Sequence, residues 1–282
     1  MPVGGDRIQS SQGWYIIYDT ESVVDGSLLS RTEFAGQDLS PEEALSKEQE
    51  NRLEASGGRS DFISVGYHVP VSICLAAADK DFRLRKLKAL GAPDHDPIQM
   101  VREFWEVVET TRTITLVDYN GRSWDLPLLT LSAFRFGVPC PVYMGGSGPR
   151  SFRYRFGERH LDLHDWLSGY GAARWRGGLD LLAKMIGRPG KLDVHGDQVG
   201  TLYLEGKLQA ISDYCLGDVL NTYFVFLRTR VLTGELTIER EQEIVADARS
   251  WLNEQSARDP ILANGIRTFL DSFGTWNPTP FV

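Results

Sequence analysis

The chain has 282 residues, 42% hydrophobic and 24% charged, with 38 acidic against 30 basic residues and a formal net charge of −8. That length can bury a sizeable core in one large domain or two small ones. The acidic balance speaks against a protein that coats long duplex nucleic acid, a task for basic surfaces. It leaves open an enzyme that holds a few nucleotides and lets bound metal ions neutralise their phosphates.

Residues 1–13 are polar and Gly-rich and carry no signal-peptide apolar core, so a short flexible tail is expected. No apolar run approaches the roughly 20 residues that span a bilayer. Cys74, Cys140 and Cys215 form no CxxC pair. They argue against a disulfide framework or a thiolate zinc site and favour a reducing cytoplasm.

The run Tyr15-Ile16-Ile17-Tyr18-Asp19-Thr20-Glu21 reads as a buried strand. Side chains alternate along a strand, so Asp19 and Glu21 share a face. Two adjacent carboxylates resist ionising unless positive charge sits between them. Hard oxygen donors of this type suit Mg²⁺ or Mn²⁺. The alternative is a strand ending at solvent with two hydrated carboxylates.

A polar stretch follows over 33–60. Within it Ser40-Pro41-Glu42-Glu43 has a capping Ser, a Pro at the first helical position and a Glu at N3, which predicts a helix over 41–55 ended by Gly57-Gly58. Residues 62–68 and 71–77 read as two strands joined as a hairpin near Pro70. Arg83, Arg85, Lys86 and Lys88 read as a solvated face, with contact to a nucleic-acid strand as the alternative. Helical spacing marks 97–111, a short buried strand 113–117, and a second helix 125–136 stopped by Gly137 and Pro139. Gly145 to Pro149 is a loop, and 159–163 a candidate strand. Helices then dominate over 179–186, 206–232, 238–254 and 260–272. Strands first and helices later suggest a mixed sheet with helices on its faces. The expected domains are a core over 14–234, carrying the 33–60 insertion, and a helical extension over 235–282 packed on it.

Two further segments carry acids. In Asp118-Tyr119-Asn120-Gly121-Arg122-Ser123-Trp124-Asp125 a buried strand ends, Asn-Gly turns the chain, and Asp125 opens a helix. Strand ends are where ligand groups gather in open α/β sheets, although Asp125 or Ser123 could serve only as a helix cap. In Ser212-Asp213-Tyr214-Cys215-Leu216-Gly217-Asp218, Tyr214 and Asp218 share a helix face. Gly217 sits mid-helix at a cost of about 1 kcal/mol relative to Ala, and would let another backbone or a substrate come close. The alternative is a core Tyr214 beside a solvated surface Asp218.

Together the segments spell D-x-E, N-x-x-x-W-D and Y-x-x-x-D in order. The set resembles the tyrosine-bearing branch of the DEDD superfamily of 3′–5′ exonucleases, nearest to the predicted bacterial exonucleases related to the proofreading domain of family-B DNA polymerases. Asn120-Gly121-Arg122-Ser123-Trp124-Asp125-Leu126-Pro127-Leu128-Leu129, His160-Leu161-Asp162-Leu163-His164-Asp165 and Tyr214 through Thr222 also fit that group. The resemblance spans about residues 15–232. It implies an α/β, RNase H-like fold with a central mixed sheet flanked by helices. It also implies two Mg²⁺ or Mn²⁺ ions about 3.5–4 Å apart. By resemblance Asp19 would bridge both ions, Glu21 and Asp218 would complete the site of the ion that activates water, and Asp125 would support the second. Tyr214 would orient the attacking water. Where the histidine branch carries its His, this chain has Asp213. Trp124 stands where Phe or Tyr is usual.

Asn120, Trp124, Arg153 and Arg155 are candidate substrate contacts. The last two belong to R-S-F-R-Y-R-F-G-E-R over 150–159, where guanidinium groups alternate with rings as single strands require. An edge hairpin with outward arginines is the alternative. His160 and His164 read as a structural pair rather than zinc ligands, and Asp162 as an organiser of the core near the site. Tyr18, Asp25 and Asp118 match none of the proposed roles. The expected activity is a cytoplasmic 3′–5′ exonuclease on a single-stranded 3′ end, DNA before RNA, with no membrane contact and a separate polymerase or repair protein as a candidate partner. No polymerase module follows, so proofreading by this same polypeptide is not expected. RNA trimming, and a non-catalytic nucleic-acid- or protein-binding module that kept the fold, are the competing readings.

Overall fold

Five strands, β1 (Trp14–Val24), β2 (His68–Ala78), β3 (Leu84–Ala89), β4 (Ile114–Asp118) and β5 (His160–Asp162), make one mixed sheet. Its order is β3-β2-β1-β4-β5. The structure is a computed structural model and describes residues 13–111, 113–191 and 196–275. The tail expected over 1–13 therefore lies, but for Gly13, outside the described residues. β1 is central, antiparallel to β2 and parallel to β4; β2 and β3 are antiparallel, β4 and β5 parallel.

Helices α1 (Gly26–Arg31) and α2 (Pro41–Ala55) follow β1, and α3 (Pro97–Thr110) precedes β4. Helix α4 (Asp125–Phe136) and the short α5 (Pro141–Met144) lead toward β5. After it come α6 (Leu163–Leu167), α7 (Gly178–Met185), α8 (Val199–Leu204), α9 (Leu208–Leu232), α10 (Ile238–Arg258) and α11 (Ala263–Asp271). None is long and apolar enough to cross a membrane, among the described residues. This is the α/β, RNase H-like arrangement of a central mixed sheet flanked by helices.

Alternation along β1 feeds two separate cores. Tyr15 and Ile17 pack on the α9 side with Val219, Tyr223 and Phe226. Ile16 and Tyr18 pack on the other side with Phe104 and Trp105 of α3 and Leu126 and Leu129 of α4. Burying one such side chain contributes about 1.5–3 kcal/mol, so register along β1 is strongly fixed. Helices α10 and α11 extend the first core through Ile244, Leu252, Ile266 and Phe269.

The capping box of α2 is complete: Ser40 Oγ accepts from Glu43 N at 3.2 Å, and Glu43 Oε2 accepts from Ser40 N at 2.8 Å. Helix α4 spans the predicted 125–136 and stops at Gly137, whose φ of 66° is the left-handed geometry that a helix end favours. The hairpin expected around Pro70 is absent. Residues 65–67 form a single 3₁₀ turn, and one continuous strand runs from His68 to Ala78. Pro70 is accommodated because pairing skips a residue: Glu21 faces Ser72 and Ser22 faces Pro70, a bulge of the kind that tolerates a missing N–H. The true hairpin is β2–β3. Its basic run is largely neutralised, with Arg83 on Asp247, Arg85 on Asp79 and Lys88 on Glu103, as a solvated face would be.

Candidate metal centre and active-site cleft

Asp19 and Glu21 leave β1 on the α9 side, and Asp218 of α9 meets them there. One carboxylate oxygen from each lies within 4.8 Å of the others. Asp218 is 8% exposed, so the alternative of a solvated surface acid does not describe it. Tyr214 is, as the alternative had it, a core aromatic, packed with Val71, Val199 and Ile211, and it also stands beside the acids. The Tyr214 hydroxyl lies within hydrogen-bonding reach of Asp218.

Burial and mutual repulsion dominate the electrostatics. Asp19 is pushed well above the usual carboxylate range by burial, then by the charges of Asp125, Glu21 and Asp218. Glu21 is raised well above its ordinary value by burial and by Asp218 and Asp125. Asp218 is pushed up to about 6 by burial, against which the Lys191 ammonium and hydrogen bonds from Tyr214 and Asn221 pull down. Three oxygen-donor acids this close carry more negative charge than Lys191 offsets, and a divalent cation supplies the balance. The donor set fits Mg²⁺ or Mn²⁺.

Asp125 stands apart from that trio. It is 4% exposed and opens α4 on the opposite side of β1. Thr20, which alternation turns toward that side, donates to it. Burial and the Asp118 charge push the Asp125 carboxyl up to about 7 while the Thr20 bond lowers it. The helix-cap alternative is not seen: Trp124 occupies the N-cap position and no side chain caps the first turn.

Tyr18 and Asp118, given no role at the sequence level, build the support together with His160 and Asp162, which were expected to be structural. Asp118 is 1% exposed and accepts from Tyr18 Oη at 2.5 Å and from Gly121 N at 3.1 Å, with His160 Nε2 at 2.7 Å from its Oδ2. A Cβ at Gly121 would lie 2.3 Å from the Asp118 carboxyl carbon, so only glycine fits the turn before Asp125. Asp162 accepts from Asn120 N at 2.9 Å, Arg122 N at 3.1 Å and Asp165 N at 3.1 Å, tying that turn to the start of α6. His160 and His164 lie on β5 and α6 and do not converge; His164 packs on Tyr119 and Trp175. Asp25 caps α1 and pairs with Arg135.

A cleft of about 600 Å³ opens over the acids, lined among others by Asp19, Asp218, Tyr119, Asn120, Lys184 and Lys191. Asn120 holds a φ of 65° at its edge. Lys191 is the cation that sequence reasoning missed. Its ammonium lies 5.9 Å from the Tyr214 ring centroid, and it lowers both Glu21 and Asp218. Its loop is pinned twice. Asn221, wholly buried, donates to Gly190 O at 2.8 Å and accepts from Gly190 N at 3.2 Å. Asp180 accepts from Lys191 N at 2.7 Å. The only sequence signal was the Pro189-Gly190 turn.

The remaining predicted contacts lie outside the acid cluster. Trp124 packs at 5.4 Å on Phe62 and at 4.9 Å on His68. Arg153 is exposed, and Arg155 is bound to Asp165 through Nε at 2.8 Å and Nη2 at 2.5 Å. Among the described residues, its own helix backbone aside, no atom comes within 4 Å of a Cβ built at Gly217, so no second described backbone packs against it.

The family model for predicted 3′–5′ exonucleases related to the exonuclease domain of PolB matches residues 60–273. That span includes Asp125, Tyr214 and Asp218 and begins after Asp19 and Glu21. Nothing among curated proteins matches. Among solved structures, a family B DNA polymerase from the hyperthermophilic archaeon Pyrobaculum calidifontis is similar at 16% identity and a TM-score of 0.49, over 78% of this chain and 24% of that one. The chain thus spans about a quarter of the polymerase's length.

Proposed function

The chain belongs to the family of predicted 3′–5′ exonucleases related to the exonuclease domain of PolB, and on that premise we propose that it removes nucleotides one at a time from the 3′ end of single-stranded DNA with two divalent ions, Mg²⁺ or Mn²⁺. The observation that carries this reading is the convergence of Asp19, Glu21 and Asp218 within 4.8 Å, with Asp19 and Asp218 lining an open cleft.

Asp19, Glu21 and Asp218 would hold the ions, with Asp125 supporting the second from the first turn of α4. Ions so held supply an ionised water and stabilise charge on the leaving oxygen. Tyr214 keeps its proton, because burial and the charges of Asp218, Glu21 and Asp19 raise its phenol above the ordinary range. Its hydroxyl therefore orients the attacking water rather than removing a proton. Lys191 extends over Tyr214 and offers its ammonium to the scissile phosphate. Asn120 lines the cleft and would meet the terminal nucleotide; Trp124, packed on Phe62 and His68, would meet it from the start of α4. The three free thiols suit a reducing cytoplasm.

Purified protein should shorten a 5′-labelled DNA oligonucleotide in single-nucleotide steps with Mn²⁺ or Mg²⁺, stop on addition of EDTA, and act more slowly on a matched RNA. Asp19→Ala should abolish the ladder. Degradation that survives Asp19→Ala would place the chemistry elsewhere.

A further inference from the structure

Residues 150–176 differ in charge from the rest of the chain. They contain Arg150, Arg153, Arg155, Arg159, Arg174 and Arg176 against Glu158, Asp162 and Asp165, in a protein whose net charge is −8. No edge hairpin forms over 150–159; the segment is a series of turns. Phe152 is wholly buried, and the Arg159 guanidinium covers its ring at 3.9 Å. With Phe152 inside, its neighbours Tyr154 and Phe156 face out.

These two rings join a third to make a continuous exposed pile. Phe156 is 58% exposed and meets Tyr170 edge-on at 4.7 Å, and Tyr154 lies 6.0 Å from Phe156. The pile is fixed in place. Arg155 grips Asp165 with two hydrogen bonds, donates to Tyr170 O at 3.1 Å and lies 5.8 Å from the Tyr170 ring centroid. Tyr170 itself is held at a φ of 60°. Arg150 and Arg153 precede the rings in the chain; both are exposed, and neither forms an ion pair among the described residues.

We propose that this pile is a stacking platform for single-stranded nucleic acid, engaging bases on the 5′ side of the nucleotide held in the cleft, with Arg150 and Arg153 on the phosphates. The proposal rests on the exonuclease reading of the cleft for its direction. Exposed rings interleaved with free cations are what sequence-tolerant strand binding requires, and the charge suits a polyanion in an otherwise acidic protein.

The platform is joined to the cleft through the chain. Gly177 and Gly178 line the cleft, and eight peptide steps, passing the exposed Arg176 and Arg174, connect Gly178 to Tyr170. Eight steps reach at most about 28 Å, which is about eight stacked nucleotides at roughly 3.4 Å each. A second link runs from Arg155 through Asp165 to Arg122, whose Nε is 3.6 Å from the Asp165 carboxylate, in the same turn as Asn120.

The test is fluorescence anisotropy with labelled dT12 and rU12 in EDTA, where no cleavage occurs. Phe156→Ala should weaken binding about tenfold. Phe134→Ala, which removes an exposed ring on α4 away from the pile, should leave it unchanged. The double variant Arg150→Ala/Arg153→Ala should reduce the slope of log affinity against log salt by about 1.4. A Phe156→Ala loss on only one of the two strands supports the platform and identifies its ligand. Unchanged affinity for both strands in Phe156→Ala, equal losses in Phe134→Ala, or an unchanged salt slope overturns the proposal. Because binding is read without metal, these outcomes are independent of whether Asp19→Ala abolishes cleavage.

Discussion

Thr20 Oγ1 donates a 2.5 Å hydrogen bond to Asp125 Oδ1, so the acid at the start of α4 is held from the face of β1 opposite Asp19 and Glu21. That bond lowers a carboxyl that burial and Asp118 have pushed up to about 7. Thr20→Val keeps the shape and removes the donor, so Asp125 should hold its proton to higher pH. A rise of about one unit would cut the ionised fraction at pH 7 roughly fivefold. The acid limb of the kcat/KM profile with Mn²⁺ should move upward, with little loss at pH 9. An acid limb that stays in place would remove Asp125 ionisation from the mechanism.

The acids also set how metal-free stability depends on pH. Asp19 and Glu21 are raised well above their ordinary values, Asp218 to about 6 and Asp125 to about 7. Between about pH 4 and pH 7 the folded chain therefore binds more protons than the unfolded chain. Stability falls as pH rises through that window. The melting temperature in EDTA should be several degrees lower at pH 8 than at pH 5.5, and Mn²⁺ should restore more at pH 8, where no protons compete with it. Asp218→Asn should flatten the EDTA profile. Differential scanning fluorimetry decides, and a metal-free melting temperature that rises over this range would contradict the acid cluster.

Gly217 separates stability from activity. Among the described residues nothing beyond its own helix backbone meets a Cβ there, so Gly217→Ala should gain about 1 kcal/mol of helix propensity and raise the melting temperature by about 2–4 °C. If substrate occupies the space beside α9, the same variant should lose kcat/KM. Stabilisation with full activity would show that the gap serves no ligand.

Lys191 and Asn221 should behave differently although they serve one loop. Lys191→Ala removes an exposed cation and should raise KM for an oligonucleotide with an unchanged melting temperature. Asn221→Ala leaves the N–H and C=O of Gly190 without their buried partners, each costing about 1–3 kcal/mol. It should raise KM and lower the melting temperature together. Equal thermal effects in the two variants would argue against the clamp.

Local chemistry was readable in the sequence. The box Ser40 to Glu43 and the stops at Gly57 and Gly137 each act within a few residues, and the structure has α2 and α4 where those signals put them. That Asp19 and Glu21 share a strand face, and Tyr214 and Asp218 a helix face, was readable because alternation on a strand and i, i+4 spacing on a helix are local rules. The Pro70 region misled because a proline between two β-branched runs resembles a turn, and only pairing with Glu21 and Ser22 shows that a bulge absorbs it. The Tyr18–Asp118–His160 network joins residues 100 and 42 positions apart. Asp165 neutralises Arg155 from a separate helix. No spacing rule encodes such pairings. They arise only when the sheet closes.

The two-sided use of β1 sets how the centre could be moved or damaged. The pleat of that strand is a ruler: residues 19 and 21 lie on one side of it, and residues 18 and 20 reach Asp118 and Asp125 on the other. No loop length enters that measurement. Changes in the connection between β1 and β2, including the whole of α1 and α2, should be tolerated by the chemistry. Deleting one residue between Tyr15 and Asp19 should exchange the two sides and abolish both halves of the centre together. A transplant to another scaffold would need this strand, the first turn of α4 and the stretch of α9 from Tyr214 to Asn221, joined by connections of any length.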